Sequence, residues 1–379
     1  MNLKGKLRLL LLSVRYRKRE KRFHQAISEV KTKKAILFSE LSREKKDGLR
    51  DIYFTHAGIG DQLLLLAAAK IYFKKTGRKL LVAGRTPELF LEEDDVVFFD
   101  LCSSAFLEEY AVKTRGDLIS YSQERFRLNF ISGSNFVANA ESYRIQFCRT
   151  HLLANYLKKI GLSGAVDISE CRLDLGKDQS VALKERYVCL ISTGLQPYKT
   201  LPFSLTQEVV VRLSKNYRVV QLGLKKDPLL EGVLDLRGRL NFSQVAQYLR
   251  NAVAFVGPQG GLMHLAYFVG CPSVIAVSGE PLEYTAYSRN INIKSSFSCD
   301  LCDNLEINPM HDHCPFGYGC AKYGFEAQSI CDSVSRLDKQ DSTQIVSLED
   351  VKENKTIGVR ELLFERGATD LKKEIRGAV

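Results

Sequence analysis

Three groups of residues stand where chemistry is possible. The run Gly257-Pro258-Gln259-Gly260-Gly261-Leu262-Met263-His264 follows an apolar stretch with the character of a strand and opens a helical one. Glycines at such a junction let the N–H groups of a helix N-terminus approach an anion, which suits a diphosphate. His264 falls in the first helical turn, placed either to donate a hydrogen bond to a phosphate or sugar or to be buried on a backbone partner. In the first half, Gly58-Ile59-Gly60-Asp61 marks a second strand-to-helix turn. The third glycine of a dinucleotide fingerprint is missing, with Leu63 in its place, which argues against a nicotinamide or flavin. Asp61 suits two tasks, helix N-cap or general base in a cleft. His56 either lines that cleft or ends the strand.

The third group is a set of thiols. Ten cysteines occur, five of them at 299, 302, 314, 320 and 331. Cys299, Cys302, Cys314 and Cys320 have a spacing that suits a tetrahedral structural zinc or iron, with His311, His313 and Cys331 as alternates. Reduced thiols in a loop are the other reading. The other five cysteines sit among apolar neighbours and read as small core residues. With no signal peptide evident, a disulfide framework is not expected. From Cys299 to Cys331 Lys322 is the only cation, against five acidic residues, which disfavours a zinc ribbon that reads nucleic acid.

The elements that must position these groups alternate. Asp51 to Thr55 reads as a buried strand, Asp61 to Lys75 as a helix ending at Gly77, and 79–83 and 96–99 as further strands around a helical segment from Pro87 to Glu93. Residues 103–145 carry a weaker pattern. A long helix is predicted from about Tyr143 to Ile160 and a linker over 162–184. A second alternating set follows, with strands near 187–192, 218–222, 253–256 and 272–277 and helices near 204–215, 242–251 and from Gly261. Such alternation implies parallel sheets with covering helices. The expected domains are a basic helical extension (1–48), two Rossmann-like domains (49–175 and 180–335), the second holding the cysteine-rich segment 299–331, and a tail with a final charged helix (336–379).

Charge is concentrated at one end. Residues 1–50 hold 16 Lys and Arg against 5 Asp and Glu, and the rest hold 39 of each, so the whole formal charge of +11 belongs to the N-terminal stretch. Leu3, Leu7, Leu10 and Val14 recur at helical spacing among the basic residues. The stretch is too short to span a bilayer but suits a peripheral helix on an anionic membrane surface; the other reading is a solvated extension. The neutral body and ordinary apolar content of 45% fit a globular protein in the cytoplasm, and no nucleic-acid partner is expected.

Gly-Gly-Leu-Met-His-Leu-Ala (260–266), followed by Gly270-Cys271-Pro272-Ser273-Val274-Ile275-Ala276, resembles the donor motif of glycosyltransferase family 9, the lipopolysaccharide heptosyltransferases and their relatives. Gly58 to Leu64 resembles the family's N-terminal Gly-Asp loop, and Ser192-Thr193 with Lys199-Thr200-Leu201-Pro202 its strand end and Lys-x-Trp-Pro segment. Together the matches span about residues 50–335. The resemblance implies a GT-B fold of two Rossmann-like domains facing a cleft, and inverting transfer of a sugar without a catalytic metal or cofactor. ADP-heptose is the leading donor, and a lipopolysaccharide-type or other cell-surface glycan the acceptor. It makes Asp61 the general base, with His56, Gly58 and Gly60 on the acceptor side. Ser192, Thr193, Lys199, Gln259, Gly260, Gly261, Leu262 and His264 fall on the donor side, Lys199 neutralising the departing diphosphate. Gln259-Gly260 replaces the family's common Asp-Thr, and Leu201 its Trp, so the reaction class is firmer than the sugar. The alternatives are a different donor sugar, a protein acceptor, or a non-catalytic sugar-nucleotide or nucleic-acid binding protein.

Overall fold

The structure is a computed structural model that describes residues 35–36, 50–54, 58–84, 86–99, 126–130, 135–139, 142–146, 151–162, 171–177, 180, 183–297, 299 and 314–339. His56, Cys302, His311, His313, most of the basic stretch and the final charged segment lie outside the described residues. The chain divides into two compact units: 1–132 with 156–175, and 133–155 with 176–379. Residues 133–155, read from sequence as part of the first domain, thus group with the second unit.

The first unit is built on a parallel sheet of β1 (Ala35–Ile36), β2 (Arg50–Phe54), β3 (Leu81–Ala83), β4 (Val97–Phe99) and β5 (Phe126–Phe130), in the order β1-β4-β3-β2-β5. The two-residue edge strand β1 lies within the stretch read as a helical extension. Helix α1 (Ile59–Thr76) follows β2 and closes at Gly77, whose φ of 68° allows its N–H to bond Phe73. All of α1 from Gln62 to Ile71 is buried, as expected of a helix apolar on every face.

Lys70 is the exception in that run. Its ammonium meets Glu93, Asp95 at 3.1 Å and Asp174 at 3.1 Å. Glu93, fully buried, also accepts the backbone N–H groups of Asp174 (2.7 Å) and Leu175 (3.1 Å). Burial alone would lower the pKa of Lys70; the carboxylates, Glu93 foremost, reverse that and raise it. One ion cluster therefore ties α1, the approach to β4 and the segment 171–175 together. Part of the stretch read as a linker is thereby packed, with Cys171, Leu173 and Leu175 buried.

The second unit holds β8 (Tyr187–Leu190), β9 (Arg218–Gln221), β10 (Leu234–Asp235), β11 (Ala254–Pro258), β12 (Ser273–Val277) and β13 (Asn290–Lys294). All pairings are parallel, in the order β10-β9-β8-β11-β12-β13. Taken in chain order this is 3-2-1-4-5-6, the Rossmann arrangement. The four central strands are buried along their length apart from Arg218 at the start of β9, which explains their unbroken apolar sequences. Helix α2 (Leu152–Lys159) straddles the division, and the main helices of the second unit are α3 (Phe203–Leu213), α4 (Phe242–Arg250), α5 (Gly261–Val269) and α6 (Ala327–Lys339). Val209, Val210 and Leu213 of α3 and Ile330 and Val334 of α6 pack with Val188, Val219, Val256 and Val274 from the strands. Asn241 and Gln244 close a capping box on α4.

Two expectations change. The helix predicted from Tyr143 is an antiparallel hairpin, β6 (Asn135–Asn139) with β7 (Ser142–Gln146), and helix begins only at Leu152. The helical segment after Pro87 shrinks to a single 3₁₀ turn, Pro87–Leu89. Among the described residues no helix is long and apolar enough to cross a membrane.

Lys70→Met should cost about 3–5 kcal/mol of unfolding free energy in denaturant titration, because it leaves Glu93 buried without a counterion. Adding Glu93→Gln should recover part of that loss. A cost below about 1 kcal/mol would mean that the cluster is dispensable.

Candidate active site

In an open parallel sheet, ligands bind beyond the carboxyl ends of the strands, where the strand order reverses. In the second unit that point lies between β8 and β11. The loop after β8 carries Ser192, Thr193 and Lys199; the loop after β11 carries Gln259 and Gly260 and runs directly into α5. No side chain caps α5, whose N-cap is Gly260. Its first-turn amides, from Gly261 and Leu262 onward, thus present the positive end of the helix to an anion. A side chain at Gly260 would meet nothing within 4 Å, so the turn has open space beside it. Gly194 is required: a Cβ there would stand 2.5 Å from the Lys199 Cβ and carbonyl oxygen, so only glycine lets the loop fold back on Lys199.

A buried polar network ties three of these loops together. The Gln259 amide donates to the Ser278 carbonyl and accepts the Ser278 N–H at 3.1 Å. Only a carboxamide offers both halves of that exchange. Ser278 Oγ donates to the Tyr198 carbonyl, and the Tyr198 hydroxyl donates to Glu280 Oε1 at 2.8 Å. The same oxygen takes the Lys199 ammonium at 2.6 Å. Lys294, at the end of β13, donates to the Glu280 carbonyl at 2.8 Å. Gly279 adopts φ 66° with the Tyr198 ring 3.0 Å from where its Cβ would stand, so a side chain there is both strained and obstructed. The Gln259 side chain, fully buried, is thus spent on loop structure.

His264 sits behind the crevice. It is 4% exposed, and its Nδ1 lies 2.7 Å from the Tyr287 hydroxyl. Tyr287 is itself clamped, stacked on Tyr267 at 3.8 Å between ring centroids and tilted against His151 at 4.8 Å. Burial foremost, then the charges of His151 and Lys199, pull the pKa of His264 down to about 3. The imidazole is therefore neutral at physiological pH. A neutral His264 can act as a dipole but not as a counter-cation.

In the first unit the strand order reverses between β2 and β5, and Asp61 stands in the first turn of the helix that follows β2. Gly58 is the N-cap, with no side-chain bond, so Asp61 does not serve as the cap. Its carboxylate instead accepts the hydroxyl of Tyr156, a fully buried residue of α2, at 2.8 Å. Gly58 is exposed and Gly60 half-buried beside it.

Residues 152–304 match the model of glycosyltransferase family 9 (heptosyltransferase). That part of the chain is similar to the family 9 glycosyltransferases. No curated protein sequence matches the chain. Among solved structures, the dodecameric iron-containing heptosyltransferase TibC, from enterotoxigenic E. coli H10407 and solved in complex with ADP-D-beta-D-heptose, has TM-score 0.56 at 18% identity, over 77% of each chain. E. coli ADP-heptose lps heptosyltransferase II gives 0.52 at 12% identity, over 76% of this chain and 98% of the other. E. coli heptosyltransferase WaaC with ADP gives 0.51 at 11% identity, over 76% and 100%. At these identities the likeness is one of fold, the GT-B fold of two Rossmann-like units.

Sequence reasoning singled out Asp61, Lys199, Gln259 and His264 but missed their partners Tyr156, Tyr198, Glu280 and Tyr287, which act by contact across 23 to 95 residues of sequence. A tyrosine next to Lys199 was the only available hint. In the cysteine segment, Cys314 and Cys320 are buried and Cys299 half-buried. Burial, then the nearby thiols of Cys299 and Cys314, push the Cys320 thiol up to about 11. Tyr318, in the left-handed region at φ 64°, directs its N–H to Cys314 Sγ at 3.3 Å. Cys331 packs instead in the core, its Sγ 3.9 Å from the Val209 carbonyl. Among the described residues no three His, Cys, Asp or Glu side chains are arranged to hold a metal ion.

The buried histidines make acid stability testable. His264 titrates near 3, and burial lowers His151 to about 4 against a partly opposing bond to Thr285. Their folded pKa values lie below the unfolded value near 6.5, so their contribution is complete above pH 6.5 and is lost as pH falls through 4 and then 3. Unfolding free energy should drop by about 1.4 kcal/mol per histidine per pH unit below 6.5, and His151→Asn should remove about one proton from that slope. An unchanged slope in the variant would show that His151 titrates normally in the fold.

Proposed function

We propose that the enzyme transfers a sugar from a nucleotide-sugar donor, ADP-heptose foremost, to a hydroxyl of a lipopolysaccharide-type or other cell-surface glycan, with inversion at the anomeric carbon. The observation that carries the reading is the convergence of Ser192, Thr193, Lys199 and the uncapped start of α5 on the β8/β11 switch point. Hydroxyls, an ammonium and helix amides together suit a diphosphate. Solved relatives with ADP or an ADP-heptose bound support the same donor class.

In this reading Asp61 takes the proton of the acceptor hydroxyl as its oxygen attacks the anomeric carbon, while the bond from that carbon to the diphosphate oxygen breaks. The Tyr156 hydrogen bond orients the carboxylate. The negative charge that builds on the departing diphosphate meets Lys199, the hydroxyls of Ser192 and Thr193, the amides of Gly261 and Leu262, and the dipole of neutral His264. Preorganised donors of this kind lower the barrier because they need no reorientation as charge develops. None of these steps requires a metal.

Asp61→Asn should reduce transfer by about 10²–10⁴-fold, while the rise in melting temperature on adding ADP-heptose stays within error of wild type. Transfer that survives would remove Asp61 as the base. If neither ADP-heptose nor other ADP-, UDP- and GDP-sugars stabilise the wild type, the donor site itself is misassigned.

The cysteine segment suits a structural metal, zinc or iron, held by Cys299, Cys302, Cys314 and Cys320. Cys299 and Cys314 both act on the Cys320 thiol, and the backbone N–H aimed at Cys314 Sγ would stabilise a thiolate. Its role would be to fix the fold of the segment beside β13, where Ser295 Oγ holds the Cys320 carbonyl at 2.8 Å. Elemental analysis of purified protein should find about one zinc or iron per chain, lost in Cys320→Ser along with thermal stability. Metal-free protein of full stability would favour plain reduced thiols.

A further inference from the structure

The donor-site reading places a diphosphate against Lys199, yet the ammonium already has an anionic partner. Glu280 is 1% exposed, so its carboxylate is built into the fold rather than offered to solvent. Oε1 receives both Lys199 and the Tyr198 hydroxyl, while Oε2 is buried without a hydrogen-bond partner. The Lys199 side chain is 18% exposed, so it stands between a buried anion behind it and the open side of the crevice. A carboxylate on one lysine is the nearest intramolecular equivalent of a phosphate oxygen, and it lowers the positive potential that an incoming diphosphate meets.

We propose that Glu280 is a positioning residue that works as a built-in competitor for the diphosphate. It holds the Lys199 ammonium at the β8/β11 crevice, keeps part of its charge when the donor binds, and so limits the grip on the nucleoside diphosphate that must leave after each turnover. The inference rests on the donor-site reading above. Lys199 still neutralises charge as it develops on the leaving group, but the product is released from a half-neutralised cation instead of a bare one. The geometry explains why an anion is tolerated beside an anion site: Tyr198 and Lys199 share one oxygen, and Lys294 pins the same residue's carbonyl from β13.

The sign of the effect separates this role from a merely structural one. Glu280→Gln keeps the shape and the acceptor for Tyr198 but removes the competing charge. Calorimetric titration with ADP, UDP and GDP should show the variant binding the preferred diphosphate on the order of tenfold tighter than wild type, with a steeper loss of affinity in salt. Steady-state kcat should fall with KM, while the single-turnover rate is retained, because release slows and chemistry does not. Lys199→Met should abolish the tightening, so that Glu280→Gln has no effect on affinity in that background. Weaker or equal binding by Glu280→Gln, with wild type binding normally, overturns the proposal and leaves the donor site standing. Wild type that binds none of the three diphosphates overturns both. If Glu280→Gln does not fold, Glu280→Asp replaces it. The shorter carboxylate draws away from Lys199, so tightening is again expected and weakening again refutes.

Discussion

Much of the second unit's edge depends on one exchange of hydrogen bonds, the Gln259 amide against the Ser278 backbone. Parallel strands fix where their loops begin but not where they go. Three loops leave β8, β11 and β12 side by side, and each must hold a fixed shape without regular secondary structure. The amide locks the second to the third, Ser278 Oγ locks the third to the first, and Tyr198 with Glu280 closes the circuit. Because the network is buried, each bond is stronger than in water and each broken one more costly. Lys199 and the start of α5 are positioned as a consequence.

The same logic runs through the first unit with opposite sign of exposure. There an ammonium, Lys70, is enclosed by carboxylates and anchors the helix that carries Asp61. One unit uses an ionic knot to hold the helix of Asp61 in place; the other puts its ionic contact on Lys199, at the crevice itself. The first arrangement serves stability alone, while the second couples stability to ligand charge.

Much of this was legible in the sequence where a single segment carried its own signal. Buried parallel strands appear as apolar runs, so β8, β9, β11 and β12 were found, and the glycine turns before α1 and α5 marked both crevices. Strand β13, Asn290-Ile291-Asn292-Ile293-Lys294, alternates at a sheet edge and is flanked by polar residues, and β10 is two residues long; neither stands out from a loop. The hairpin over 135–146 was mistaken because Tyr143 and Ile145 fit helical and strand periods equally over so short a run. Tyr156, Glu280 and Tyr287 were missed for a different reason. They are ordinary residues whose importance lies in what they touch, and one-dimensional spacing holds no record of a contact between positions 61 and 156.

Residues 133–155 belong to the second unit although the first resumes at 156, so the two are interleaved in sequence and not strung end to end. His151, in the early segment of that interleaving, lies against Tyr287, which in turn holds His264. No single cut in the chain can therefore separate the second unit from the first intact. A recombinant joined near 176 would inherit Tyr287 with one face stripped of its histidine.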